Sequence, residues 1–373
     1  DVALDEDLIT GGTLGGLTQF RGETLDKTQN QIGQLAVSFG VGVNQQQSLG
    51  LDLNGEAGED LFKIDDPRAF GREGNSSPDL ISGVSFDGEN IDQLRATDYI
   101  VEVESNNENF TVTRTDTGES ESVSRDGDNL SFGGVTLTFD NADANLSEGD
   151  RFDVQPVRRG ARGIESAIAE GDKIAAASRF EVGSKNNSPM MDVSIESAES
   201  GALSGSASAA TLDANGNLTV EDSSGNVLNS FNGVTSGDKA VVGGVTITIN
   251  SRPESGSSSL TLEESDATSG DNRNALELQA LQERNEVGGS ATFSGAYASI
   301  VSDVGNRTNI TQVNLDAQQG LTEQLEEVQQ SQSGVNLDEE AANLIRYQQF
   351  YQANAQVIKT GSTILDTILG VAR

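Results

Sequence analysis

The side chains that carry out most enzyme chemistry are scarce in this sequence. It contains no histidine and no cysteine, which excludes cysteine nucleophiles, Ser-His-Asp triads and almost every zinc or copper site. Aspartate and glutamate total 59, so composition alone does not exclude a glycosidase built on two carboxylates. Spacing does not identify such a pair, however, and most of these acids are expected at the solvated surface. We therefore predict that the chain is not an enzyme and has no catalytic, cofactor-binding or metal-binding residue.

Two short motifs invite a ligand-binding interpretation, and both are better explained as turns or loops. Asp52-Leu53-Asn54-Gly55 resembles the start of a calcium loop, but the twelfth position, where an EF-hand needs glutamate, is Lys63. Asn54-Gly55 favours a plain turn. The run from residue 11 to 16, GGTLGG, lacks the spacing of a dinucleotide fingerprint and follows no apolar strand. It predicts a loop from which a helix begins.

The charge balance limits the partners that the surface can attract. The formal net charge is −36, which repels the phosphates of nucleic acids and the headgroups of anionic membranes. We expect neither partner. An acidic surface of this kind suits a marine or halophilic source, and ordinary acidic drift is the alternative. The sequence has no apolar run of about 18 residues that could span a membrane. It shows no secretory signal and begins at Asp1, so residues are expected upstream.

The first positioning element is a helix predicted from about Gly16 to Ser48. Leu25, Ile32 and Phe39 recur every seven residues, which predicts a seam that packs against a partner helix. Glycines within this stretch weaken it as an isolated helix.

Two stretches alternate with the period of β-strands. Residues 99–103, 110–113 and 135–139 predict strands, and we expect an antiparallel sandwich or small barrel over residues 67–160. The stretch at 181–263 repeats this pattern: FGGVTLT at 132–138 matches VGGVTIT at 242–248. Because the apolar parity changes across both Gly-Gly pairs, we predict a shared β-bulge and two modules of one design. Chance similarity is the alternative.

The end of the chain is predicted to be helical. We expect helices from Asp271 to about Arg284, from Ala296 to Gln330, and after Asn336, which supplies a cap. The last helix carries apolar residues at alternating spacings of three and four, typical of a coiled coil. This stripe packs either against another chain or against the helix at 296–330. The residues predicted to form the assembly interface are Leu337, Ala341, Leu344, Ile345, Gln348, Tyr351, Ala355, Ile358, Leu365 and Leu369.

The terminal helix also carries a family resemblance. Residues 334–355, GVNLDEEAANLIRYQQFYQANA, closely resemble the carboxy-terminal signature of the FlgK family of flagellar hook-associated proteins. The ending ILDTIL at 364–369 is similar to the usual ending of that family. GTLGGL at 12–17 and DNRNAL at 271–276 resemble its internal motifs. The resemblance covers most of residues 1–180 and 264–373, whereas residues 181–263 are interpreted as an insertion.

The resemblance implies a structural role outside the cell. Family members pair their terminal helices into an inner coiled-coil tube, project β domains outward, and join the hook to the filament. They leave the cell by type III export and serve flagellum assembly and motility. The implied partners are copies of the chain in a ring or helical layer, the hook protein and a second junction protein. The amino-terminal helix of the pair is missing from this pattern, so the chain is expected to be a fragment.

Together, these patterns predict an α+β multidomain protein with a long coiled-coil-like helical core and two inserted antiparallel β modules. Its boundaries are 1–66 for the first core segment, 67–160 for module 1, 161–180 for a connecting helix, 181–263 for module 2, and 264–373 for the remaining core. The alternatives are another axial subunit, flagellin-like or hook-like, or a secreted adhesin that binds through its β modules. The lack of tryptophan argues against sugar-stacking platforms in an adhesin.

Overall fold

The computed structural model describes residues 11–77, 79–105, 107–199, 202–203, 208–265, 270–334 and 336–371. The chain divides into two compact units, Asp1–Val304 and Gly305–Arg373. Both helices and antiparallel sheets are present, which confirms the α+β class. None of the described helices combines the length and apolar character needed to cross a membrane.

Unit 1 begins with a long helix. Helix α1, Gly12–Phe20, continues through a π-helical turn at Arg21–Asp26 into α2, Lys27–Ser48. The helix predicted from about Gly16 to Ser48 is therefore confirmed, but the loop predicted over residues 11–16 is wrong, since the helix begins at Gly12. The glycines that weaken it in isolation allow close packing in the fold. A Cβ at Gly33 would lie 1.7 Å from the carbonyl oxygen of Val157, a distance that no side chain tolerates.

Eight strands form the first β region. Short strands β1, Gly50–Leu51, and β2, Phe62–Ile64, come before it. The eight are β3 Arg68–Gly71, β4 Ile81–Phe86, β5 Tyr99–Val103, β6 Asn109–Arg114, β7 Ser120–Ser124, β8 Asn129–Phe132, β9 Val135–Phe139 and β10 Arg151–Gln155. They form two antiparallel sheets in the orders β3-β10-β5-β6-β7 and β4-β9-β8. A short helix, α3, spans Ala142–Asn145. The three strands predicted by alternation are confirmed.

The second β region has the same strand order. Its strands are β13 Phe180–Gly183, β14 Val193–Ala198, β15 Ser208–Asp213, β16 Leu218–Glu221, β17 Val227–Phe231, β18 Lys239–Val242, β19 Val245–Ile249 and β20 Ser257–Glu264. They pair as β13-β20-β15-β16-β17 and β14-β19-β18. Each region has its own cluster of buried apolar side chains. We call strands β3–β10 module 1 and strands β13–β20 module 2; the predicted domain boundaries themselves stay predictions.

The shared β-bulge predicted at the two Gly-Gly pairs is wrong. They are two-residue hairpin turns, not bulges: Gly133 and Gly134 have φ of 52° and 77°, and the flanking Phe132 and Val135 pair directly. Gly243 and Gly244 do the same between β18 and β19. Two successive positive φ angles define the type I′ turn that suits the twist of a hairpin. A two-residue turn shifts the apolar residues from even to odd positions just as a bulge does. The alternation in the sequence therefore does not distinguish a turn from a bulge.

The connecting helix predicted at 161–180 is wrong. This segment contains β11, Ile164–Ser166, a 3₁₀ turn at Gly171–Lys173, and β12, Ala177–Ser178. Strand β11 pairs with β2, and β12 pairs with β1. The strands of this segment pair with residues 100 or more positions earlier in the chain, and these partners override the local alanine-rich pattern.

Three helices complete the chain. Helix α4, Arg273–Ala280, is shorter than the predicted 271–284. Just before the helix, the carboxylate of Asp271 accepts hydrogen bonds from the backbone N–H groups of Arg273 and Ser178. Helix α5, Phe293–Ser333, extends beyond the predicted 296–330, and α6 spans Leu337–Val371.

Candidate assembly surface

Helix α6 begins where the sequence predicts. The side chain of Asn336 accepts a hydrogen bond from the backbone N–H of Asp338 at 3.1 Å, which satisfies one of the free donors of the first turn. Asp338, Glu339 and Glu340 occupy that turn, where negative charge stabilises the positive end of the helix dipole. The helix then continues to Val371.

All ten residues predicted for the assembly interface lie on α6, and all of them are exposed. The larger apolar ones among them are between 56% and 80% exposed. Nine positions on this helix form one stripe with spacings of three and four, which we call seam 1. Seam 1 consists of Ala341, Leu344, Gln348, Tyr351, Ala355, Ile358, Ser362, Leu365 and Leu369. The structure therefore places the predicted residues on one helix, with Leu337 and Ile345 beside the stripe.

A second stripe on α6 was missed by sequence reasoning. It also follows spacings of three and four, one residue out of step with seam 1, and we call it seam 2. Seam 2 consists of Tyr347, Phe350, Asn354, Val357, Gly361, Ile364, Ile368 and Val371. Its apolar members are at least 55% exposed. The same heptad count would have found it. Helix α6 thus has apolar side chains on two adjacent faces, more than one partner helix covers.

The part of α5 that lies in unit 2 shows the same exposure. Ile310, Val313, Leu321, Leu325 and Val328 are about half exposed. Within residues 305–334 and 336–371, the described side chains of both helices remain exposed or partly exposed. The observed exposure leaves the apolar surface of α6 open to another chain.

Two aspartates of unit 1, Asp52 and Asp98, have structural partners. Asp52 accepts hydrogen bonds from the backbone N–H groups of Asn54 and Glu56 at 2.8 and 2.9 Å, so the calcium-like motif closes a turn, as predicted. Asp98 is ion-paired with Arg158. Burial raises the pKa of Asp98, while Arg158 opposes the rise. Among the residues that the structure describes, no three Asp or Glu side chains are grouped to hold a metal ion.

Comparison with protein families gives two matches at the ends of the chain. Residues 1–62 match the family described as the flagellar hook-associated protein FlgK helical domain. Residues 329–371, which include all of α6, match the family described as the flagellar basal body rod FlgEFG protein C-terminal.

Individual proteins match along the whole chain. Flagellar hook-associated protein 1 of Escherichia coli (strain K12) is 30% identical over 373 residues, which cover 100% of this chain and 51% of the relative. The protein of the same name from Salmonella typhimurium is 29% identical, with 100% and 52% covered. The chain spans about half the length of these curated relatives.

One solved structure is also similar, the flagellar hook junction protein FlgK from Burkholderia pseudomallei. The TM-score is 0.61 at 27% identity, covering 89% of this chain and 64% of that one. The similarity in fold and sequence therefore extends well beyond the two terminal matches.

Proposed function

Because the chain belongs to the flagellar hook-associated protein 1 (FlgK) family, we propose that it is a structural subunit of the bacterial flagellum at the hook–filament junction. It works outside the cell after type III export. Its partners are copies of itself, the hook protein and a second junction protein. It catalyses no reaction, since its function is to assemble.

The observation that carries this proposal is the exposure of both seams on α6. A soluble chain rarely exposes so continuous an apolar surface unless another molecule covers it. Burying one Leu or Ile side chain contributes roughly 1.5–3 kcal/mol, so several such residues offset the cost of ordering a helix at an interface. Two adjacent seams suit a helix that has neighbours on two sides, as in a tube of helices.

The β modules occupy a different place in this proposal. Their apolar residues are buried in two separate cores, so they fold without help from α6. We propose that they project from the assembled core, and that the domain boundaries are 67–160 for module 1 and 181–263 for module 2.

A second candidate function is that of another axial subunit, hook-like or rod-like. The match of residues 329–371 to the rod-protein family favours it, because that match includes the whole of α6. The two candidates differ in how assembly ends: a junction protein forms a discrete layer, whereas a filament subunit continues to polymerise.

The test uses electron microscopy of isolated hooks incubated with a full-length protein that carries this chain. Leu344→Asp and Ile358→Asp place a charge in seam 1 and are expected to abolish binding at the hook tip. The matched control is Leu228→Asp in β17, since Leu228 is 58% and Leu344 60% exposed. The control should bind as the unchanged protein does.

Each outcome has a defined meaning. A discrete collar that Leu344→Asp removes and Leu228→Asp leaves intact supports the junction function. Unlimited filaments that form without hooks favour the second candidate. Equal binding by Leu344→Asp and the control would show that seam 1 is not the interface.

A further inference from the structure

Module 1 contains a polar cavity of about 600 Å³, within the size range of small-molecule sites. Its floor is formed by Tyr99 and Val112, which are 3% and 1% exposed. Arg95, Arg114, Glu119 and Glu121 are among the side chains that line it. These charged groups surround the Tyr99 ring and its hydroxyl, so the cavity offers both donors and acceptors to a polar ligand.

The hydroxyl of Tyr99 is the unusual feature of the cavity. Tyr99 lines the cavity, and none of the described residues donates a hydrogen bond to its hydroxyl or accepts one from it, so the hydroxyl is open to solvent or to a ligand. The ring packs edge-to-face on Phe132 at 5.2 Å, which fixes its direction. A Cβ at Gly133 would lie 2.4 Å from the hydroxyl oxygen, so glycine keeps that space open. Burial raises the pKa of Tyr99 to about 12, and the phenol remains a hydrogen-bond donor at neutral pH.

Module 2 closes the equivalent place. Ser208 takes the position of Tyr99, since Ser208 pairs with Leu262 on β20 as Tyr99 pairs with Val154 on β10. A Cβ at Gly243 would lie 2.4 Å from the hydroxyl oxygen of Ser208 and 2.5 Å from a methyl carbon of Leu203. Leu203 is only 5% exposed, so it fills this place.

In module 1, Arg95 occupies the position that Leu203 occupies in module 2. Leu94 lies against Gly134 as Ala202 lies against Gly244, and Arg95 and Leu203 are the residues that follow them. The fold that the two modules share therefore accommodates an apolar side chain beside the Gly-Gly turn, as Leu203 shows in module 2. Module 1 has Arg95 and Tyr99 at this place instead.

The two arginines of the cavity differ in their partners. Arg114 forms ion pairs with Asp116 at 2.8 Å and Glu119 at 3.1 Å, so its charge is compensated. Arg95 donates a hydrogen bond to the backbone carbonyl of Gly288 at 2.6 Å, and none of the described carboxylates forms an ion pair with it. Arg95 thus keeps a positive charge that an acidic ligand group can compensate.

We propose that this cavity binds a small molecule that carries one carboxylate and several hydroxyl groups, of the class of the uronic acids. Arg95 binds the carboxylate, and the Tyr99 hydroxyl donates a hydrogen bond to a ligand oxygen. Glu119 and Glu121 accept hydrogen bonds from ligand hydroxyls. A single negative charge suits the site, because the acidic surface of the chain opposes ligands with many charges.

The experiment is a titration of the full chain with sodium glucuronate, followed by amide chemical shifts, with neutral glucose as the second probe. Glucuronate is expected to bind saturably and glucose at least about tenfold more weakly, since a charge-assisted hydrogen bond is lost. Tyr99→Phe removes only the hydroxyl and should weaken glucuronate binding about fivefold. Ser208→Ala, the matched change in module 2, should leave binding unchanged.

Three results would overturn the proposal. They are the absence of saturable glucuronate binding up to its solubility, equal binding of glucose and glucuronate, and unchanged binding by a Tyr99→Phe chain whose other amide shifts show that it is folded. The assembly function does not depend on this site, so each of these results leaves it unaffected.

Discussion

The β modules and helix α6 use apolar residues in opposite ways. In module 1, Phe110 and Phe152 are fully buried, and Phe110 stacks on Phe139 at 5.3 Å. In α6, Phe350 is 56% exposed and Leu344 60% exposed. The modules therefore bury their apolar residues in their own cores, whereas α6 leaves its apolar surface exposed. The difference separates residues that maintain the fold from residues available for assembly.

The sharpest test of this comparison is a pair of identical substitutions. Phe110→Ala removes a fully buried ring and should lower the free energy of unfolding of module 1 by about 3–5 kcal/mol. Phe350→Ala on seam 2 should change the stability of the isolated chain by less than about 0.5 kcal/mol. Calorimetry measures both, and hydrogen exchange assigns the loss to strands β3–β10. Equal losses would mean that α6 is packed in solution.

A second, smaller effect concerns the charged contact between α2 and module 1. Arg158 forms ion pairs with Asp26, which precedes α2, and with Asp98, which precedes β5. Removing the cation from a largely buried pair leaves the carboxylates uncompensated, so Arg158→Met should cost about 3 kcal/mol. Arg346→Met on exposed α6 is the control and should cost less than about 0.5 kcal/mol. Chemical denaturation of both variants gives the two values.

The pH dependence of Arg158→Met has a definite sign. Burial already raises the pKa of Asp98 in the fold, and losing Arg158 removes an opposing effect and raises the pKa further. The folded variant then binds a proton at a higher pH than the unfolded chain does, so its stability loss should shrink as the pH falls towards 3.8, the unperturbed pKa of aspartate. A loss that stays constant over this range would contradict the assignment of Asp98 as the destabilised group.

The smallest effect is expected where α4 joins β12. The Arg273 side chain holds the pKa of Asp271 at about 2 through its hydrogen bond. A lowered acid pKa contributes stability above the unperturbed value of 3.8, and this contribution disappears as the pH falls through about 2. Because Arg273 is 51% exposed and solvent screens the pair, Asp271→Asn should cost less than about 1 kcal/mol at neutral pH and almost nothing near pH 2.

Denaturation midpoints of the Asp271→Asn variant and the unchanged chain, measured at both pH values, check this prediction. A difference between the two midpoints that persists near pH 2 would show that Asp271 acts through packing and not through its charge.

Local pattern was sufficient for much of the fold. Heptad spacing placed α2 and α6, and alternation placed β5, β6 and β9, because the apolar period of a segment follows directly from its backbone geometry. The ten interface residues were found on one helix for the same reason. Seam 2 was within reach of the same count, since its residues recur at the same spacings of three and four.

Other features depended on parts of the chain that are distant in sequence. Residues 164–178 have a helical composition, yet they pair with β1 and β2, which lie far upstream. Gly33 appears in the sequence only as a weak helix former, although it allows α2 to approach Val157. No periodic pattern encodes such approaches, since they depend on which surfaces the completed fold brings together.

The sequence by itself determined the family resemblance, most of the element types and the apolar stripe of α6, because these follow from local spacing and from motifs that span a few turns. Tertiary structure alone decided that α6 exposes its stripe while the modules bury theirs. It also decided that module 1 keeps a cavity beside Tyr99 where Leu203 fills module 2. Burial is a property of three-dimensional neighbours, and residues with the same local pattern differ in it as soon as their neighbours differ.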